Sequence, residues 1–263
     1  MMNSCIKVSA LLVGFLCLLA SCVTDQAEQA KVIAHRGYWK CEGSAQNSIR
    51  SLERAAEIGA YGSEFDVHLT ADGVLVVYHD NEIEGKNIQS STYADLKDLT
   101  LSNGETLPTL ESYLERAKSL DKLHLVFELK AHQTPERNRE AAEASVNLVK
   151  KMGLEDRTDY ISFNLDACKA FIRLCPDSKV FYLNGELSPK ELKALGFAGL
   201  DYHYNVLREH SDWARECQEL GLQVNVWTVN EEPLMEEMIA WGANYLTTDH
   251  PEEALALINK PNK

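Results

Sequence analysis

From residue 31 onward the chain alternates short apolar runs with amphipathic segments of helical period, and this alternation limits the folds open to it more than any other feature. Residues 31–35, 62–70, 74–79, 123–129, 160–163, 180–183, 199–202, 223–229 and 245–248 read as strands, nine in all. Residues 47–58, 92–99, a stretch running through Ser119, 135–152, 165–174, 189–195, 213–220 and 231–241 read as the helices between them. Ala71-Asp72-Gly73 is too short a link for anything but an antiparallel return, because parallel neighbours need a crossover of about a dozen residues or more. Setting that return aside as a β-hairpin arm after the second strand leaves eight strands with helical crossovers. That is the pattern of an α/β fold of the (β/α)8 TIM-barrel type, and 263 residues suit a barrel whose usual size is about 250. A doubly wound sheet is the alternative, and it has no use for so many regularly spaced units.

The hairpin also predicts a meeting of side chains. If Thr70 faces Val74 across the turn, His79 falls opposite Phe65, between Glu64 and Asp66. Residues two apart in a strand point to one face, so Glu64 and Asp66 share a face, and so do Glu128 and Lys130. In a barrel of this type the chemistry sits at the C-terminal ends of the strands, where His35, Glu64, Asp66, Glu128, Lys130, Trp227 and Asp249 fall or nearly fall.

The N-terminus stands apart from this pattern. A short n-region ending at Lys7 precedes an apolar run over residues 8–20, shorter than the roughly 18 residues of a spanning helix, and the segment 1–21 reads as a signal peptide. The run closes in Leu19-Ala20-Ser21-Cys22, which resembles the lipobox of bacterial lipoproteins, where the cysteine is lipidated. The expectation is an exported lipoprotein, held by Cys22 to a membrane on its periplasmic or cell-surface side, with residues 22–30 as tether and 31–258 as one catalytic domain. Beyond the signal and Cys22, Cys41, Cys168, Cys175 and Cys217 remain; a domain of this size needs no disulfides, and they read as structural thiols. A formal net charge of −14 argues against a nucleic-acid-binding surface, which normally shows clustered Lys and Arg, though not against an anionic small molecule met through a bound cation. No protein partner is expected.

Taken together, His35-Arg36-Gly37, Gly62-Ser63-Glu64-Phe65-Asp66-Val67, Asp72-Gly73 and Val76-Val77-Tyr78-His79-Asp80 are similar, in order and spacing, to the glycerophosphodiester phosphodiesterase family of phospholipase-C-like phosphodiesterases. The resemblance continues through Leu107-Pro108-Thr109-Leu110, Phe127-Glu128-Leu129-Lys130, Val226-Trp227-Thr228-Val229-Asn230 and Thr247-Thr248-Asp249-His250-Pro251. It implies one divalent cation, Ca2+ or Mg2+, held by Glu64, Asp66 and Glu128, all oxygen donors suited to a hard ion. Glu128 points the same way on its own, since an unpaired charge in an otherwise apolar strand is costly. The resemblance further implies His35 and His79 as general acid and base, Arg36 and Lys130 as phosphate contacts, and Trp227 beside the substrate's glycerol. Imidazole suits its role because its unperturbed pKa is about 6.5. The other histidines, His68, His124, His132, His203, His210 and His250, lack such placement and read as structural or surface residues.

One motif departs. Where the family commonly has Pro-Glu-Asn-Thr after the first strand, this chain has Ala45-Gln46-Asn47-Ser48. Asn47 can still cap the following helix, while the missing glutamate removes a carboxylate near the entrance and touches substrate preference more than chemistry. The implied reaction is hydrolysis of a glycerophosphodiester to glycerol 3-phosphate and an alcohol. Three alternatives carry different tests. A related phosphodiesterase for another phospholipid-derived head group would differ in products, a glycosidase would not need a metal, and an inactive surface-anchored binding protein would turn over nothing.

Overall fold

Eight parallel strands close into a barrel in the computed structural model, which describes residues 29–260. The signal segment 1–21, the lipidation site Cys22 and the tether as far as residue 28 lie outside the described residues. In chain order the strands are β1 (Lys31–Ala34), β2 (Gly62–Leu69), β3 (Leu75–Val77), β4 (Glu82–Ile83), β5 (Lys86–Asn87), β6 (His124–Leu129), β7 (Thr158–Ser162), β8 (Val180–Tyr182), β9 (Gly199–His203), β10 (Gln223–Trp227) and β11 (Tyr245–Thr248). Around the barrel β1 is followed by β2, β6, β7, β8, β9, β10 and β11, and β11 returns to β1 through Lys31 opposite Tyr245 and Ala34 opposite Thr248. Because β1 bonds to β2 on its other side, the sheet has no open edge there, and the doubly wound alternative is excluded.

The expected arm is present. β3 runs antiparallel to β2, with Val67 opposite Val77 and Leu69 opposite Leu75. The turn is tied by Thr70, whose backbone N–H donates to Val74 O at 2.9 Å and whose Oγ1 accepts from Val74 N at 2.9 Å. Gly73 completes it with φ +84°, a conformation that a residue with a Cβ enters only under strain. Outside the barrel, β4 and β5 form a small ribbon that the apolar pattern does not announce.

Period-two alternation divides the interior. Phe65, Val67, Leu125, Phe127 and Leu129 point outward into the core beneath the helices, where Phe127, Tyr160 and Phe171 pack ring against ring. Ile33, Val126, Ile161, Phe181 and Tyr245 point inward and fill the barrel itself. The barrel is therefore plugged by apolar side chains below its C-terminal mouth, with Asp159, Asp201 and Asn225 as buried polar residues among them.

Helices whose caps are written in the sequence begin and end where expected. Pro135–Met152 opens with Thr134 accepting from Arg137 N and stops at Gly153, and Pro189–Leu195 opens with the Ser188/Glu191 capping box and stops at Gly196. The helix expected over 47–58 is shorter, Ile49–Glu57, and its cap is Ser48 rather than Asn47. Tyr204–Glu209 and Pro251–Ile258 are helices that the sequence pattern did not reveal. Cys41, Cys168, Cys175 and Cys217 are all free thiols. No described helix is long and apolar enough to cross a membrane.

Candidate active site

β1 ends at Ala34, and the next residue, His35, still donates its backbone N–H to Thr248 O at 3.0 Å. That last rung brings His35 beside Asp249, the residue after β11, with His35 Nδ1 2.8 Å from Asp249 Oδ1. Trp39 Nε1 donates to the same carboxylate at 3.1 Å and Asn230 Nδ2 at 2.9 Å. Burial alone would raise the pKa of Asp249, but hydrogen bonds from His35, Asn230 and Trp39 and attraction to the imidazole hold it well below the usual carboxylate range. A carboxylate kept ionised only accepts, so the shared proton belongs to His35 Nδ1 and leaves Nε2 for chemistry.

His79 follows β3 at the same mouth. Tyr78 N donates to Asp66 O at 3.0 Å, which continues the predicted register to the residue before His79 and sets that histidine beside the carboxylates. Its Nδ1 lies 2.6 Å from Asp80 Oδ1. Burial lowers its pKa, with the Lys130 and Arg36 charges adding to the effect and Asp66 and Asp80 opposing it.

Arg36 and Gly37 turn the chain sharply. Arg36 has φ 56°, its backbone N–H donates to Glu64 Oε2 at 2.7 Å, and its Nη1 donates to Gln46 Oε1 at 2.7 Å. At Gly37 a Cβ would lie 2.3 Å from Ser51 Oγ, so only glycine lets the helix pack this close. The residue at the departing motif position thus holds the guanidinium through a neutral amide.

Glu64, Asp66 and Glu128 face inward on adjacent strands, each offering an oxygen within 4.8 Å of the other two. Lys130 Nζ sits 2.6 Å from Asp66 Oδ1 and 2.8 Å from Glu128 Oε1. Burial alone would raise the carboxyl of Asp66, but Lys130, His79 and Arg36 and a hydrogen bond from Asn47 hold it well below its ordinary range. Burial pushes Glu128 up to about 7, against the pull of Lys130, and holds Glu64 well above its usual range with repulsion from Asp66 and Glu128 added. Glu64 Oε1 is buried and has no hydrogen-bond partner in the protein. Three buried carboxylates, an orphaned oxygen among them, fit a hard divalent cation bound by Glu64, Asp66 and Glu128.

Several contacts here have no local signal in the sequence. Asn47 was expected to cap a helix; instead it has φ 60°, donates from Nδ2 to Asp66 Oδ2 at 2.8 Å and accepts from Asp66 N at 3.1 Å, so it aims the carboxylate. Asp249 lies in Thr247-Thr248-Asp249-His250-Pro251, yet its pairing with His35, 214 residues away, has no local signal. Trp227 lies at the mouth as expected, its Nε1 donating to Asp201 O at 2.9 Å. His203 and Phe163 meet it edge-on at 5.1 and 5.6 Å between ring centroids, and Phe163 is 40% exposed. They form an aromatic wall that the single tryptophan did not predict.

Deeper in the barrel, Asp201 is buried with Oδ1 unpartnered, and burial pushes its carboxyl up to about 8, a bond to Asn225 opposing and the Glu128 charge adding. The unfolded chain releases this proton near 3.8 whereas the folded chain keeps it to about 8, so stability falls as pH rises across that interval. Asp201→Asn has no proton to lose. Calorimetry should find its Tm above that of the wild type at about pH 8, with the gap closing towards about pH 4; equal melting at both values would contradict a neutral Asp201.

The sequence pattern of the glycerophosphoryl diester phosphodiesterase family matches residues 35–253, which span this whole site. A solved glycerophosphodiester phosphodiesterase structure from Parabacteroides distasonis is 70% identical, covering 88% of this chain and 97% of its own, with a TM-score of 0.87. A phosphodiesterase from Oleispira antarctica, solved in complex with the product sn-glycerol-3-phosphate, is 28% identical over 88% of this chain and 98% of its own, with a TM-score of 0.76. A glycerophosphodiester phosphodiesterase of Caldanaerobacter subterraneus is 29% identical over 245 residues, 87% of this chain and 98% of the relative.

Proposed function

The chain belongs to the glycerophosphoryl diester phosphodiesterase family, and from that premise we propose that it hydrolyses glycerophosphodiesters to sn-glycerol 3-phosphate and an alcohol, using Ca2+ or Mg2+ held by Glu64, Asp66 and Glu128. The observation that carries the proposal is the convergence at one barrel mouth of two histidines, each with Nδ1 on a carboxylate, and three buried carboxylates.

When bound, the cation supplies Lewis-acid neutralisation of charge on the phosphoryl oxygens. The residues do the rest. One imidazole accepts the proton of the attacking hydroxyl, which belongs to water, giving glycerol 3-phosphate directly, or to the substrate's own neighbouring alcohol, giving a cyclic phosphate that water then opens with the two rings in reversed roles. The other gives a proton to the departing alkoxide, and the two rings then hold each other's starting protonation state. Arg36 and Lys130 add positive charge around the phosphate, the first as a planar donor fork and the second as a point charge. Trp227 offers an apolar face for the glycerol carbons.

Gln46 gives this arrangement a test of its own. Arg36 Nε already lies 3.7 Å from Asp66 Oδ2, and a neutral amide on Nη1 adds no second counter-charge, whereas a carboxylate there would pair with Nη1. Gln46→Glu is expected to raise KM several-fold with kcat close to wild type, because the substrate's phosphate is already charged in the ground state. Steady-state kinetics would read this; an unchanged KM would remove Arg36 from the phosphate site.

We place the protein on a membrane through lipid on Cys22, exported after loss of residues 1–21; the tetrapeptide Leu19-Ala20-Ser21-Cys22 supports that reading. The activity is tested by incubating the purified protein with glycerophosphocholine and with glycerophosphoethanolamine and measuring sn-glycerol 3-phosphate. Release that a chelator stops and Ca2+ or Mg2+ restores is expected. Absence of release from folded, metal-supplied protein would overturn the assignment in favour of another phosphodiester or a binding role.

A further inference from the structure

His68 lies two residues beyond Asp66 on the same face of β2 and is fully buried, yet it does not join the three carboxylates. Both its ring nitrogens are committed elsewhere. Gln89 Nε2 lies 3.1 Å from His68 Nδ1, and His68 Nε2 lies 3.4 Å from the backbone O of His79. The same Gln89 Nε2 lies 3.0 Å from Ala131 O. A carbonyl only accepts, so this end of the Gln89 side chain is the amide nitrogen, and its second hydrogen goes to His68 Nδ1. The imidazole proton is then on Nε2 and is donated to His79 O.

This bond falls where the ladder gives out. Tyr78 N to Asp66 O is the last backbone rung between β2 and the strand leading to His79. Gln89 itself is well anchored: it sits on a single 3-10 turn, Ile88–Ser90, whose Ile88 is buried and donates its N–H to Asn81 O at 2.9 Å. Through Ala131 the same amide also reaches the residue after Lys130.

We propose that Gln89 and His68 form a brace that fixes the main chain of His79 at the mouth, making them positioning residues for the acid–base step. This rests on the reading of His79 as one of the two proton-transfer groups. With the brace removed, the substrate still binds, but the imidazole loses its aim, and groups displaced by about 1 Å lose catalysis on the order of a hundredfold.

Four variants of the full chain decide it, assayed on glycerophosphocholine with added Ca2+: His79→Ala, His68→Leu, His68→Gln and Gln89→Met. His68→Leu and Gln89→Met should lower kcat by about tenfold to a hundredfold with KM within about twofold of wild type. His68→Gln, whose amide nitrogen reaches about as far as Nε2, should recover most of the loss. The rise in Tm on adding Ca2+ should be unchanged in all of these, since no carboxylate has been altered. Wild-type kcat in His68→Leu, with His79→Ala inactive, overturns the brace alone. Equal losses in His68→Leu and His68→Gln also overturn it, since they would reduce His68 to core packing. Wild-type kcat in His79→Ala overturns the brace together with the reading beneath it.

Discussion

Glu64→Gln is expected to lower kcat by about three orders of magnitude or more, since Lewis-acid stabilisation amounts to several kcal/mol at about 1.4 kcal/mol per tenfold. The fold should survive the change. Glu64 Oε2 accepts from Arg36 N, which the carbonyl of glutamine can also do, while Oε1 has no protein partner to lose. Removing a carboxyl crowded by Asp66 and Glu128 relieves repulsion, so the metal-free variant should melt at or above the wild-type temperature. What disappears is the response to metal. A cation present at a hundred times its Kd stabilises a folded protein by about 2.7 kcal/mol, and that thermal shift with Ca2+ or Mg2+ should be absent from the variant. Turnover comparable to wild type would sink the assignment of the three carboxylates.

Replacing either histidine should cost about a hundredfold to ten-thousandfold in kcat, the usual range for positioned proton transfer. The losses should sit in kcat rather than KM, because neither ring carries the charge that binds the phosphate. His35→Ala and His79→Ala should also differ in their companions. Asp249→Asn takes the ionised acceptor from His35 Nδ1 and should fall between wild type and His35→Ala, whereas Asp80, itself exposed, should matter less. A pH–rate profile that keeps both limbs after loss of both imidazoles would mean that other groups carry the protons.

Much of this arrangement is legible in the sequence, and the reasons differ from residue to residue. The hairpin register follows from a three-residue link and period two, so His79 can be set against Glu64 and Asp66 by counting. Pro135–Met152 and Pro189–Leu195 have proline near the start, a hydroxyl cap before it and glycine after the end, and their bounds need nothing else. Tyr204–Glu209 begins straight after β9 with His203 as its cap, and six residues are too few to display a helical period. Asn47 shows the limit most plainly. Its residue type and position before a helix match a cap, yet Ser48 takes that role, and the partner of its side chain is 19 residues away. The pairing of His35 with Asp249 spans 214 residues and exists only because the barrel closes.

That closure has a consequence for when the enzyme becomes active. β1 meets β2 through two residue pairs and β11 through four, so the first strand is held mainly by the last one synthesised. A chain still emerging, or one ending before Tyr245, carries Glu64, Asp66, Glu128 and both histidines but lacks Asp249 and the rung that aligns His35. With His35 in its proposed role, closing of this last seam completes the proton-transfer site, so turnover should respond to the seam and not only to the collapse of the core.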